Sequence, residues 1–277
     1  MNGSMPAFLS SPSRDSMGPA EMSDLRQWVS GYIKGFSFTD PEDIRNISLK
    51  EVHTYRVADN MTAIAGAIFR DNSRVLIAEA IGLLHDIGRF PQYRQYRTYR
   101  DSISTNHGRL GTEVLKEQKA LSAMAPREQE LISDSVLFHN AFSVPENLDD
   151  EKKSYIRMIR DADKLDIWRI FSEQFSMDEK DRATAAGLGL PDSGEYSDSI
   201  VDCLRERRQA TLAGLKTLTE FKIMQLTWVY DLNYDHSFRL LSESGHMDRI
   251  IAMLPNDSKI SKAVSVLKEY IGQRCSC

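Results

Sequence analysis

IGLLHDIGRF, residues 81–90, closes an apolar run on a histidine and an aspartate, with Gly88 two positions later. Upstream stand Val75, Leu76, Ile77, Ala78, Ala80, Ile81, Leu83 and Leu84, which leave almost no polar face. Residues 73–87 therefore read as a helix that is buried on nearly every side and central to the fold. Successive helical residues point about 100° apart, so His85 and Asp86 do not face each other. At a helix end they can still reach one point from different angles, with Gly88 letting the chain leave. The face running back from His85 carries Ala78, Ile81 and Gly82. Two of the three are small, so a second helix or a ligand can approach there.

Outward from this segment the spacing stays helical. Further helices are expected over about 22–36, 41–70, 105–118, 126–142, 150–176, 197–218, 219–232, 236–244, 246–253 and 257–273. No alternating run reads as a strand and no Asn-Gly pair marks a hairpin, so the fold class is all-α. Asp40-Pro41-Glu42-Asp43 places a cap before a first-turn proline, and Gly88 and Gly245 fit positions just past helix ends. Residues 1–20, rich in Ser, Pro, Gly and Met, read as a disordered tail without the basic and apolar regions of a signal peptide. Residues 21–277 are expected to form a single domain. The Gly-, Ala- and Ser-rich stretch 183–198 is read as a loop within it.

The chain has 277 residues, 41% hydrophobic and 27% charged, enough for a sizeable core. A net charge of −5 excludes the broad basic surface that general nucleic-acid binding needs. No apolar run reaches the roughly 18 residues that span a bilayer. Cys203, Cys275 and Cys277 form no disulfide framework, and reduced thiols fit a cytoplasmic protein.

Polar residues interrupt the apolar faces. Asp163, in SYIRMIRDADKLDIWRIF, shares its face with Ile156, Ile159, Ile167 and Ile170. His53 lies in line with Leu49, Val57 and Ile64, and His139 with Ile132 and Val136. Taken singly, each has an ordinary reading: a hydrogen-bonded core histidine, or an aspartate paired with Arg160 or Lys164. As a set they point to a divalent cation. Four of the six histidines and two aspartates sit at core-facing edges of successive helices. Imidazole with carboxylate suits Mn, Fe, Co, Ni or Zn. The missing thiolates argue against a structural zinc site.

His53, the doublet His85-Asp86 and Asp163 resemble the H…HD…D signature of the HD-domain superfamily of metal-dependent phosphohydrolases. The resemblance covers about residues 50–175, with the helices of about 197–273 as a C-terminal extension of the helical bundle. It implies a cation held by His53, His85, Asp86 and Asp163. His107 in TNHGRLG and His139 in VLFHNAF follow the order of relatives with a binuclear site, which implies a second cation, so one or two in all, with Mn or Fe first and Mg, Co, Ni or Zn as alternatives. Asn140 stands where the cyclic-dinucleotide branch has a further histidine, which argues against that substrate. His236 and His246 lie outside the pattern and read as structural or surface residues.

The implied activity is hydrolysis of a small phosphorylated metabolite, a nucleotide above all, by water that the metal activates. Asp86 would bridge and orient that water. Lys164 would meet charge building on a phosphoryl oxygen; as a solvated helix lysine it would have no role. GRFPQYRQYRTYRD, residues 88–101, is read as a loop over the site, with Arg89 as the first choice for a phosphate. A solvated loop or a homodimer contact accounts for the same residues. The ligand order also resembles that of di-iron oxygenases on the same scaffold, and a metal-holding, nucleotide-binding signalling domain without turnover is the third reading.

Overall fold

Several helices begin where a side chain caps the first turn. The computed structural model describes residues 17–187 and 189–275, and among them there is no strand. In its first compact unit, which ends at Ile159, the helices are α1 (Pro19–Lys34), α2 (Pro41–Ile68), α3 (Asn72–Leu84), α4 (Arg89–Tyr96), α5 (His107–Glu117) and α6 (Pro126–Phe138). The Asp40 side chain accepts from the Glu42 and Asp43 amides at the start of α2, and Asp71 does the same for Ser73 at α3. Asn106 caps α5 by accepting from Arg109 N.

Helix α3 is central, as its composition predicts: every residue from Ile77 to Leu84 is buried. The close approach expected at Gly82 is made by α2, where a Cβ on Gly82 would lie 2.5 Å from the Ala58 Cα. Glu79, the one charged residue in that buried stretch, is matched by Arg26 of α1 at 2.5 Å. Helices α5 and α6 lie as close together, since a Cβ on Gly108 would meet the Leu137 carbonyl at 2.8 Å.

Helix α7 (Asp150–Gln174) runs unbroken through the division between the units, which falls between Ile159 and Arg160 and not in the loop of 183–198. The second unit continues with α8 (Asp198–Arg205), α9 (Leu218–Thr227), α10 (Asp235–Ser244), α11 (His246–Ala252) and α12 (Ser258–Cys275). Its core includes Trp168, whose indole N–H donates to the Gln225 carbonyl at 3.0 Å, and Phe238 against Tyr270. Gly245 has the left-handed φ of 66° expected just past the end of α10.

Three expectations change. Of the tail expected over 1–20, residues 1–16 lie outside the described residues, but Met17 is buried and Pro19 opens α1. In the stretch after the doublet, residues 89–96 form a helix, α4, and the loop is confined to 97–100. The helix expected over 197–218 ends at Arg205, because Arg207 takes a left-handed φ of 58° and the Tyr230 hydroxyl donates to the Leu204 carbonyl. Cys203 and Cys275 are free thiols, and Cys277 lies outside the described residues. No helix among the described residues is long and apolar enough to cross a membrane.

Candidate metal centre

Helix ends carry most of the candidate ligands. His85 is the residue at which α3 stops, and Asp86 follows in the turn that leads to α4. His139 stands at the same place on α6, His107 opens α5, and His53 lies within α2. His85 and His139 repeat one local device: Nδ1 donates back to the carbonyl three residues earlier, at 2.7 Å to Gly82 and 2.8 Å to Val136. His107 Nδ1 is 2.7 Å from Asp101 Oδ2. Carbonyl and carboxylate oxygens only accept, so these three rings carry their proton on Nδ1 and present Nε2 as a lone pair.

Those lone pairs converge on Asp86. His53 and His85 place Nε2 3.4 and 3.5 Å from Oδ2. His107 and His139 place Nε2 3.4 and 3.6 Å from Oδ1. The two rings of each pair also face one another, with Nε2 atoms 3.3 Å apart for His53 and His85 and 2.9 Å apart for His107 and His139. Asp86, His107 and His139 each offer a ligand atom, all within 4.8 Å of one another. Acceptors gathered this closely repel unless something positive lies among them, and this nitrogen–oxygen set fits a divalent cation.

The charges are fixed by the surroundings. Burial raises the Asp86 carboxyl, but the charges around it, Lys50 first, outweigh it and hold it well below the usual carboxylate range. Burial, followed by the Arg89 charge, pushes His107 down to about 3, so its ring is neutral at ordinary pH. Burial works against ionisation of Asp101 too, yet His107, Arg89 and Gln92 bring its carboxyl far below the usual range.

Two contributors, Lys50 and Asp101, escaped the sequence reading. Lys50 Nζ lies 2.6 Å from Asp86 Oδ2; its one signal is a position one helical turn before His53. Asp101 accepts from Arg89 and Gln92 as well as His107, and Asn140 donates to it at 3.1 Å. Gly88 has the ordinary φ of −69°, so it is not needed for a left-handed helix exit. It is glycine because a Cβ would press on the His107 carbonyl and lie 2.6 Å from the Gly111 nitrogen.

Of the arginines after the doublet, Arg89 reaches the cluster, with Nε 3.5 Å from Asp86 Oδ1. Arg94 donates to the Gly35 carbonyl and Arg97 pairs with Asp43, so these two fasten α4 to its neighbours. In the second unit, Lys164 is buried, with Nζ 2.7 Å from Asp231 Oδ2 and donating to the Arg160 carbonyl. Of the three aspartates in RDADKLD, Asp161 holds the Asn233 and Tyr234 amides and Asp166 pairs with Arg169. Asp163 is half-buried on α7, beyond the division between the units. His246 bonds to Ser172 through Nδ1 at 2.8 Å, consistent with a structural residue.

Residues 51–168 match the family model of the HD domain, a span that takes in His53 through Asp163 and stops before α8. No curated protein and no solved structure matches the chain.

Proposed function

We propose that this chain, which carries an HD domain over residues 51–168, is a metal-dependent phosphohydrolase of a small phosphorylated metabolite, a nucleotide above all. The observation that carries the reading is Asp86, whose two oxygens each face a separate pair of histidines. His53, His85, Asp86 and Asp163 would hold one divalent cation, with Asp163 assigned from the signature, and Asp86, His107 and His139 a second. Mn or Fe suits this donor set. Such cations supply two things when bound, a lower pKa for water and positive charge on phosphoryl oxygens.

The rest falls to the chain's own groups. Asp86 stays ionised and central. Asp101 fixes the His107 ring through Nδ1 and holds the Arg89 guanidinium at 2.8 Å. Arg89 would bind a phosphate oxygen beside Asp86. The buried imidazoles keep bulk water from the centre. The same reading takes a small molecule as substrate, without general nucleic-acid binding, and the cytoplasm as the place of action.

The test is phosphate release. Protein loaded with Mn²⁺ is incubated, without oxygen, with nucleotides, sugar phosphates and a generic phosphodiester. Release that depends on the metal is the expected result. No release from any of them, with the metal bound, overturns the reading.

A further inference from the structure

Six side chains bring a nitrogen towards the Asp86 carboxylate, and they differ in access. The four imidazoles are 5% exposed or less, whereas Lys50 and Arg89 keep 16% and 14%. The edge of the cluster that meets solvent is therefore cationic. The Tyr99 ring lies near both cations, 5.6 Å from the Lys50 ammonium and 5.8 Å from the Arg89 guanidinium. The Tyr99 hydroxyl is anchored on the Asn46 carbonyl at 3.1 Å.

Two details of this edge bear on what it can hold. Arg89 binds Tyr99 O and Asp101 through Nη1, but its buried Nε has no hydrogen-bond partner. Lys50 rests on Asp86 Oδ2, the same oxygen that faces His53 and His85. Without metal, the charges of Lys50 and Arg89 are matched by those of Asp86 and Asp101. Divalent cations at the histidine pairs add positive charge beside an ammonium that shares their carboxylate. Cations that share Asp86 would leave less of its charge for Lys50, which favours a further anion beside the ammonium.

We infer that Lys50 and Arg89 form the seat for a phosphate monoester dianion, held between the Lys50 ammonium and the Arg89 Nε–H. The inference rests on the hydrolase reading for what is then done to the ester, but not for the binding. It also narrows the substrate. Two cationic groups beside a metal centre match the two charges of a monoester better than the single charge of a phosphodiester.

The experiment uses the full chain loaded with Mn²⁺, as wild type, Lys50→Met and Lys50→Arg. It measures bound manganese, calorimetric binding of inorganic phosphate, and KM and kcat on an aryl phosphate and its bis-aryl diester. Circular dichroism checks that each variant folds, with Lys50→Gln as the replacement if Lys50→Met does not. The wild type should bind phosphate and prefer the monoester. Lys50→Met should weaken phosphate about tenfold or more with its manganese intact, and raise KM for the monoester. Lys50→Arg should recover part of the loss. Unchanged phosphate affinity in Lys50→Met, or a loss of manganese that accounts for the weakening, overturns the seat. A wild type that binds no phosphate does so as well. Phosphate binding without release from any ester sinks the hydrolase reading and leaves the seat standing. Release with an unchanged KM in Lys50→Met does the reverse.

Discussion

His107 and His139 face each other through Nε2 atoms 2.9 Å apart, each with its Nδ1 proton already donated elsewhere. Two lone pairs in that position call for a shared cation. His107→Ala should lower the bound metal from two per chain to one by elemental analysis. Asp101→Asn should keep both sites but weaken the second about 10- to 100-fold, because the ring loses the carboxylate that orients it. An unchanged count in the first variant refutes the second site.

Asp86 stands between both histidine pairs, so its loss should affect both at once. Asp86→Ala should abolish turnover and bind neither cation tightly, while its circular dichroism stays helical, since the carboxylate lies in a turn and not within a helix. Full activity in this variant would refute the metal assignment.

The neutral state of buried His107 has a pH signature in metal-free protein. Its pKa is near 6.5 in the unfolded chain and about 3 in the folded one. Between these values the unfolded chain binds a proton that the folded one does not. The stabilising contribution is therefore complete above about 6.5 and is lost as pH falls towards 3. Urea midpoints measured from pH 7 to pH 4 should fall, and less steeply in His107→Gln. Parallel curves would show that the ring does not titrate in this window.

The contact of Gly88 with α5 leaves no room for a methyl group. Gly88→Ala should destabilise by about 1–3 kcal/mol in denaturant unfolding, as overpacking does. Because the atoms it displaces include the His107 carbonyl, it should also weaken the second cation. Wild-type stability would show that the turn has space to move.

The helices and the histidine set were legible because both follow a period. His53, His85 and His139 break apolar stripes on helices, and such breaks show up as misplaced polar groups. Asp101 and Lys50 break no stripe. Asp101 reaches His107 from a short 3₁₀ turn, and Lys50 sits on a polar part of α2. Helix α4 was hidden for a related reason. RFPQYRQY has little apolar period, and what holds it is tertiary: Tyr93 and Arg97 on Asp43, and Arg94 on Gly35. In residues 206–217 the helical pattern overruns. There the Ala210 amide donates to the Thr227 hydroxyl, and Thr217 caps α9 by accepting from Glu220 N.

The rings of His85 and His139 close the carbonyls of the very helices that carry them. Helix termini are where a folded chain opens first. A fraying event at α3 or α6 would swing a nitrogen away from the centre, and a bound cation would resist that swing. Metal loading would thus act as a clasp on two helix termini, with local breathing there and grip on the ion as a single equilibrium.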